Sequence, residues 1–185
     1  MQSKSSLKPA SVAGIIAFLI LLDQCVKLYI YNYHMDKSFN ILFDFVRFEP
    51  KFNRQYSWIN SLFDLGVGKA VHIIICLFAL IICLLVYGYA KKMHKISRLT
   101  EFIFLFVLSG VICSLTDKLF WDGSLDYIQF RGFFTFDLKD VYLTAFELLL
   151  IAMLIFNYKN IRSLDEKQIA KDLIKYTGSL LKRNK

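Results

Sequence analysis

Residues that interrupt helices or mark flexible linkers are scarce in this sequence. Only two prolines and eight glycines occur among 185 residues, and there is no internal repeat, low-complexity tract or proline-rich linker. The missing repeat argues against a transporter built from two inverted halves. The four cysteines lie within long apolar runs and show no metal-ligand or redox spacing.

The patterns that carry metal-dependent or serine-dependent catalysis are also missing. No H-E-x-x-H zinc motif occurs, and His34, His72 and His94 are scattered along the chain. Ser109 invites comparison with intramembrane serine proteases, but no histidine is suitably placed to activate it. The G-x-G-D pattern of presenilin-type proteases is absent as well. The sequence therefore predicts neither a metal site nor a cofactor.

Long apolar runs dominate what is present. The chain is 56% hydrophobic and its mean hydropathy is +0.46. A helix needs roughly 20 mostly apolar residues to cross a bilayer, and we expect spans at about residues 11–31, 69–90, 101–120 and 139–158. The first run is not read as a cleavable signal peptide, because no small-residue cleavage site follows it. We predict an all-α membrane protein, a bundle of four transmembrane helices.

The formal net charge of +8 is arranged as in a membrane protein. Lysines precede the first apolar run, basic residues fill residues 91–98 between the second and third runs, and a basic cluster begins at residue 159 after the fourth. Cytoplasmic loops are enriched in Lys and Arg. We therefore expect both termini and the middle loop in the cytoplasm, the loops at residues 32–69 and 121–139 outside, and no nucleic-acid partner.

Two segments of the outward loops and the C-terminal tail carry further structure. Residues 40–48 and 129–137 are rich in aromatic and aliphatic side chains and predict a small outward-facing β element at the membrane surface. The tail at residues 161–185 opens with a capping-box pattern and repeats apolar residues among lysines. We expect a membrane domain over residues 1–160, followed by a basic amphipathic helix on the cytoplasmic leaflet.

Ionisable residues within the apolar runs require partners or a function. Asp23 and Lys27 are four residues apart and share one helix face. Asp117 and Lys118 end the third run, and Glu147 lies in the fourth. From their expected depths, we predict that Asp23, Lys27 and Glu147 neutralise one another.

Asp126 and Asp140 stand on either side of the second outward loop, at the expected outer margins of the last two spans. Two close carboxylates cannot both ionise cheaply, so one keeps a proton and the pair titrates as a unit. Such a pair can deprotonate a water molecule with one member while the other protonates a carbonyl oxygen. Ordinary interfacial acids at span ends are an equally good interpretation from composition alone.

Four short motifs occur in a characteristic order. They are DQCVK at residues 23–27, NRQYSW at 53–58, DK at 117–118 with DY at 126–127, and FDLKD at 136–140. In this order they resemble the DQxxK, Asn-containing, D-R…V-x-D-F and F-N-x-A-D motifs of the lipoprotein signal peptidases (signal peptidase II). These are four-span intramembrane aspartyl peptidases with both termini in the cytoplasm.

The resemblance implies which residues form the site. Asp126 and Asp140 correspond to the catalytic pair. The other matching or adjacent residues are implied to support that pair or contact substrate, and they are Asp23, Lys27, Asn53, Trp58, Ser114, Asp117, Lys118 and Asp137. The position of Trp58 suggests a lid.

The resemblance also implies an aspartyl endopeptidase of the bacterial cytoplasmic membrane, with its site near the outer face. Its substrate would be a prolipoprotein carrying diacylglycerol, cleaved by activated water without a covalent enzyme intermediate. We expect membrane lipids around a monomer. The alternative is a non-catalytic relative that binds lipoprotein precursors, or a small transporter subunit in which the acids pair or line an ion path.

Several positions depart from the family pattern. Lys118 replaces an arginine, so the point charge of an ammonium replaces a planar guanidinium that can form two parallel hydrogen bonds. Asp137 and Lys139 replace the Asn and Ala that precede the last catalytic aspartate, and Glu147 has no counterpart. These differences predict a divergent member. Lys139 is expected to favour the ionised form of its neighbour Asp140.

Overall fold

The structure is a computed structural model that describes residues 7–93, 96–121, 123–158 and 165–183. The first residues of the predicted capping box in the tail, at 163–164, lie outside the described residues.

The fold is mostly helical, with one small sheet. Its helices are α1 (Pro9–Tyr33), α2 (Trp58–Phe63), α3 (Lys69–Lys92), α4 (Arg98–Phe120), α5 (Leu138–Phe156) and α6 (Glu166–Arg183). Three of them, α1, α3 and α4, are long and apolar enough to cross a membrane. The predicted spans at about residues 11–31, 69–90 and 101–120 correspond to these three helices to within a few residues, and their crossing of a membrane stays a prediction. The fourth predicted span coincides with α5, a shorter helix whose 19 residues include Lys139, Asp140 and Glu147.

The sheet is antiparallel, and its strands follow the order β1-β2-β3-β4. The strands are β1 (Phe39–Leu42), β2 (Val46–Asn53), β3 (Ser124–Phe130) and β4 (Thr135–Phe136). The predicted small β element is present in an otherwise helical fold, and its outward-facing position stays a prediction. The segment at residues 40–48 is also not one strand, because the chain turns at Phe43 with a φ of 47°. A four-stranded sheet thus joins the two loops that the sequence analysis placed outside.

Helix α4 lies at the centre of the molecule, in contact with α1, α3 and α5. Most of its buried side chains are apolar, and Leu105 and Cys113 are almost fully enclosed. By contrast, α3 buries only His72 among its described side chains, and large apolar side chains such as Phe78 are exposed. An exposed apolar surface of this extent fits helices that face lipid rather than water.

The helix ends that the sequence predicts on the cytoplasmic side are connected through one buried acidic residue. Glu101 in the first turn of α4 accepts hydrogen bonds from the backbone N–H of Leu7 at 2.8 and 3.0 Å. It also pairs with Lys91 at the end of α3, at 2.9 Å. This carboxylate therefore joins the start of the chain, α3 and α4 at one point.

The C-terminal amphipathic helix is present as α6 and contacts α3. A Cβ atom on Gly88 would lie 2.5 Å from the hydroxyl oxygen of Tyr176, so the glycine makes room for that side chain. The ammonium of Lys92 lies 5.3 Å from the centre of the same ring, within the range of a cation–π contact. The location of α6 on the inner leaflet stays a prediction.

Helices α4 and α5 approach each other closely at Gly110. A Cβ atom there would lie 2.6 Å from Cδ2 of Leu143 and 3.6 Å from the carbonyl oxygen of Lys139. The missing side chain therefore sets the distance between α4 and the first turns of α5. Since Asp140 lies in the first turn of α5, this contact also positions the predicted site.

We predict that Gly110→Ala lowers the free energy of unfolding by about 1–3 kcal/mol, because the methyl group overpacks the contact with Leu143. Thermal unfolding in detergent measures the loss. The double variant Gly110→Ala/Leu143→Ala should recover part of it.

Gly14→Ala is the matched control, since nothing lies within 4 Å of a Cβ at that position on α1. The alanine should leave stability unchanged or raise it slightly through its better helix propensity. Equal losses in the Gly110 and Gly14 variants would contradict a close contact between α4 and α5.

Candidate active site

Five charged residues form a buried ion cluster, which consists of Asp23, Lys27, Asp117, Asp137 and Lys139. The ammonium of Lys27 lies 2.9 Å from a carboxylate oxygen of Asp23 and 2.7 Å from one of Asp117. It also lies 2.7 Å from Oδ2 of Asp137. All five side chains are buried, so each charge depends on its neighbours in place of water.

The predicted pairing of Asp23 with Lys27 is thus confirmed, but the predicted participation of Glu147 is wrong. No ion pair within the described ranges includes Glu147, whose side chain is exposed and lines a cleft. Asp117 and Asp137 supply the additional negative charges that Lys27 needs. The position of Glu147 along α5 sets its depth but not the direction in which its side chain points.

Lys139 is the second cation of the cluster, and its ammonium also faces Asp126 and Asp140. It lies 2.6 Å from Oδ2 of Asp137 and 3.4 Å from Oδ2 of Asp117. Its distance to Oδ1 of Asp126 and to Oδ1 of Asp140 is 3.7 Å in both cases. This lysine therefore connects the buried ion cluster to the predicted catalytic pair.

The first turn of α5 fixes the position of Asp140 through a capping box. The backbone N–H of Asp140 donates to the Asp137 carboxylate at 3.2 Å, and the N–H of Asp137 donates to Oδ2 of Asp140, also at 3.2 Å. This reciprocal arrangement is a common start of a helix. The same local sequence that begins α5 thereby orients the carboxylate of Asp140.

Asp126 lies on strand β3, which corrects its predicted place at the margin of a helical span. Helix α4 ends at Phe120, and the chain then reverses at Gly123, whose φ is +114°. A Cβ atom on Gly123 would lie 2.6 Å from the carbonyl oxygen of Asn53. Only glycine allows this close approach between the segments leading into β3 and out of β2.

The pairing of β2 with β3 brings Asn53 to Asp126. Nδ2 of Asn53 donates to Oδ2 of Asp126 at 3.1 Å. Oδ1 of Asp126 makes no hydrogen bond within the described part of the chain, and it faces Lys139. Burial raises the pKa of Asp126 despite the opposing effect of Lys139, so its carboxyl group keeps a proton at higher pH than an exposed aspartate does.

The two predicted catalytic carboxyls differ in exposure. The side chain of Asp126 is 4% exposed, whereas that of Asp140 is 39% exposed. One oxygen from each of Asp126, Asp137 and Asp140 lies within 4.8 Å of the other two. Asp137 has a different environment, because Lys139 and Lys27 outweigh its burial and hold its pKa well below the usual range. The structure therefore brings together one ionised buried acid and two acids that face a cleft.

The cleft has a volume of about 900 Å³ and runs from the sheet along α5. Its polar lining includes Asn53, Ser114, Asp126, Lys139 and Asp140. Aromatic side chains from the loop after β3 and from β4 line the same space, and they are Phe133, Phe134 and Phe136. The cleft thus combines reactive carboxyls with the apolar walls that a lipid-linked or helical ligand requires.

Helix α2 forms one wall of this cleft through Ile59, Ser61 and Leu62. The Ser57 hydroxyl caps the helix by accepting from the N–H of Asn60, and it lies 3.1 Å from Nε2 of His72 on α3. Helix α2 begins at Trp58, whose side chain lies outside the described residues. The predicted lid role of Trp58 therefore stays a prediction.

The remaining predicted residues lie on α4. The ammonium of Lys118 donates to the Ser114 hydroxyl at 2.7 Å and to the Ser114 carbonyl oxygen at 3.3 Å. Lys118 is buried and joins the cleft through Ser114 rather than through an aspartate. Asp117, its neighbour in sequence, belongs to the buried ion cluster on the α1 side.

Two polar residues near the site were not singled out by the sequence analysis. The Ser124 hydroxyl lies 3.0 Å from Asp117 and 3.2 Å from Asp137. Gln24 donates to both Asp23 and Asp117, and its Oε1 accepts from the indole N–H of Trp121 at 3.0 Å. Gln24 stands inside the DQCVK motif, and that motif is the sequence signal that could have identified it. No local sequence signal marks Ser124, because its role depends on the chain reversal at Gly123.

Comparisons with known proteins show the family to which the chain belongs. The family model of signal peptidase II matches residues 15–156, a range that contains every residue of the ion cluster and both cleft carboxyls. This chain belongs to the signal peptidase II family. Membership makes it a hydrolase of the lipoprotein-processing protease class, and the family acts at the bacterial inner membrane. The alternative of a non-catalytic binding protein is not favoured.

Two solved structures of bacterial membrane enzymes, studied by the in meso method at 2.3 and 1.9 Å resolution, resemble the chain. The first has a TM-score of 0.68 and 20% identity, over 85% of this chain and 94% of that one. The second has a TM-score of 0.66 and 20% identity, over 83% and 97%. At this identity they show the fold alone. No curated protein matches the chain.

We predict that Lys27→Met is strongly destabilising in this family member, by about 3–5 kcal/mol, since it leaves three buried carboxylates without their shared cation. Thermal unfolding in detergent at neutral pH measures the effect. Lowering the pH should reduce the difference in stability between the variant and the unmodified protein, because protonation removes the uncompensated negative charges.

Arg47→Met provides the control for loss of a cation. Arg47 pairs with Glu49 at 3.7 Å, and both side chains are substantially exposed. An exposed pair of this kind contributes less than about 1 kcal/mol. If Lys27→Met lost no more stability than Arg47→Met, the buried ion cluster would not have the structural role assigned to it.

Proposed function

We propose that this chain is an aspartyl endopeptidase that removes signal peptides from diacylglyceryl-modified bacterial prolipoproteins, with Asp126 and Asp140 as its catalytic pair. The observation that carries the proposal is the meeting of these two carboxyls in one cleft, with oxygens within 4.8 Å. Two carboxyls at such a distance can share the proton transfers of peptide hydrolysis.

The two carboxyls share one proton and take opposite roles in the reaction. In the proposed reaction Asp126 carries the proton and donates it to the carbonyl oxygen of the scissile peptide. The more exposed Asp140 accepts a proton from a water molecule, whose oxygen attacks the carbonyl carbon. Collapse of the resulting tetrahedral diol breaks the C–N bond; Asp140 returns its proton to the leaving nitrogen, and Asp126 recovers a proton from a diol hydroxyl. No bond forms between enzyme and substrate.

The supporting residues act by holding this pair in place. Asn53 donates to Asp126, and the capping box orients Asp140. Asp23, Lys27, Asp117 and Asp137 fix the meeting point of α1, α4 and α5. Ser114 on α4 lines the cleft and accepts a hydrogen bond from the ammonium of Lys118. Trp58 would begin the wall that closes over the bound peptide.

We further propose that α5 is the fourth span, with both termini in the cytoplasm and the sheet on the outer membrane surface. The distribution of Lys and Arg supports this orientation. The cleft then opens at the outer boundary of the bilayer, so the acyl chains can stay in lipid while the signal helix lies along α5. In this arrangement residues 1–160 act as a monomeric membrane domain and residues 161–185 as its cytoplasmic tail.

We predict that Asp126→Asn and Asp140→Asn each reduce cleavage of a lipidated precursor by about 100-fold or more, because each removes a proton-transfer group. Purified protein in detergent and a synthetic diacylglyceryl precursor, followed by mass spectrometry, measure the rate. Each variant should retain its fold, since asparagine preserves the side-chain volume.

Asp44→Asn is the control, because Asp44 is exposed on the β1–β2 turn and does not line the cleft. It should cleave at the rate of the unmodified protein. Correctly inserted Asp126→Asn and Asp140→Asn proteins that retained full activity would show that this pair does not perform the reaction.

A second prediction concerns Glu147, which lines the cleft seven residues after Asp140. At 1.5 Å per residue, it lies about 10 Å further along α5. A bound signal helix that is wholly apolar must cover this carboxyl without offering it a partner. Glu147→Leu should therefore lower KM for such a precursor and change kcat little.

The comparison uses two precursors that differ only at the position of the signal helix facing Glu147, one with leucine and one with lysine. The unmodified protein should show a greater preference for the lysine precursor than the Glu147→Leu variant does, and Glu147→Gln should fall between them. An unchanged ratio of kcat/KM between the two precursors in all three proteins would refute contact between Glu147 and the signal helix.

A further inference from the structure

Lys139 occupies a position that the proposed reaction does not explain by itself. The residue is 5% exposed, and its ammonium lies 3.7 Å from an oxygen of each proposed catalytic carboxyl. A buried cation here needs a compensating gain, because its removal from water is costly.

The charged groups that face Lys139 come from every element around it. They are Asp117 and Lys118 on α4, Asp126 on β3, Asp137 and Asp140 at the start of α5, and, through the shared carboxylates, Asp23 and Lys27 on α1. Asp137 is the nearest, at 2.6 Å. The side chain is therefore held by one strong ion pair while its charge acts on the catalytic pair.

We propose that Lys139 is a positioning residue that sets the working pH range of the catalytic pair, by holding a fixed positive charge between the two carboxyls. This inference rests on the proposed function. It also changes the expectation from the sequence, in which Lys139 acted on Asp140 alone. The equal distances to Asp126 and Asp140 mean that the cation acts on both members.

The physical effect is a reduction of the repulsion between the two carboxylates. An ammonium within about 4–6 Å of a carboxyl favours its ionised form, and here one ammonium reaches both. The pair therefore reaches its active state, with one proton shared between two carboxyls, at lower pH than a pair without the cation. It also loses that last proton at lower pH, so the whole activity profile is displaced to the acid side.

Asp137 and Lys139 act as one unit in this arrangement. Asp137 caps α5 and provides the counterion of Lys139. The backbone N–H of Lys139 additionally donates to Oδ1 of Asp23 at 3.1 Å, which anchors the first turn of α5 to α1. Relative to the Asn and Ala of the family motif, the two replacements add one negative and one positive charge, and the net charge of the site stays the same.

The experiment measures kcat/KM against pH for a diacylglyceryl precursor, with the purified full-length chain in detergent. Lys139→Met should move the acid limb of the profile to higher pH by about one to three pH units, the range expected for loss of a close opposite charge. Lys139→Arg keeps the charge and should keep the limb within a few tenths of a unit. A merely structural role would lower the rate at all pH values without displacing the limb.

If Lys139→Met does not fold, the double variant Asp137→Asn/Lys139→Ala is measured in its place. This variant removes both members of the ion pair and has the residues of the family motif. The acid limb of its pH profile should also move to higher pH, but less than that of Lys139→Met, because the repulsion between Asp137 and the two carboxylates is lost as well. An acid limb at the same pH in the unmodified protein and in the folded variants would overturn the inference. If the unmodified protein cleaved no precursor at any pH, the proposed function itself would fall.

Discussion

The shared cation at Lys27 is the interaction on which the rest of the structure depends. Its ammonium holds Asp23 from its own helix, Asp117 from α4 and Asp137 from the start of α5. Without it, three carboxylates would meet in a space that excludes water, and their repulsion would separate the three helices. The position of the first turn of α5, and with it Asp140, thus depends on this ammonium, with Lys139 as the second cation of the same cluster.

The sheet contributes the other half of the site, and a different constraint places it. Asp126 reaches the cleft because β3 pairs with β2, and this pairing begins where Gly123 allows the backbone of Asn53 to approach. Asn53 then serves as the hydrogen-bond donor to Asp126. One carboxyl is therefore positioned by helix electrostatics and the other by strand pairing, which allows their environments to differ although they share a cleft.

Sequence reasoning predicted the parts of this design that leave a local pattern. Apolar runs predicted α1, α3 and α4, alternation of aromatic residues predicted the sheet, and the four-residue spacing predicted the pair of Asp23 and Lys27. It did not predict that Asp126 lies on a strand, or that Glu147 turns into the cleft instead of joining Lys27. Both depend on contacts between segments far apart in the chain, and no local periodicity records them.

The start of α5 shows why the replacements at Asp137 and Lys139 are best understood together. An aspartate at residue 137 keeps the cap that an asparagine would also provide, but it adds a third negative charge next to Lys27. Lys139 supplies a second cation 2.6 Å from that carboxylate, which offsets the charge that Asp137 introduced. The same ammonium then inevitably lies near Asp126 and Asp140. Two charges that offset each other within the buried ion cluster therefore also act on the proposed catalytic pair, because Lys139 faces both groups of carboxylates.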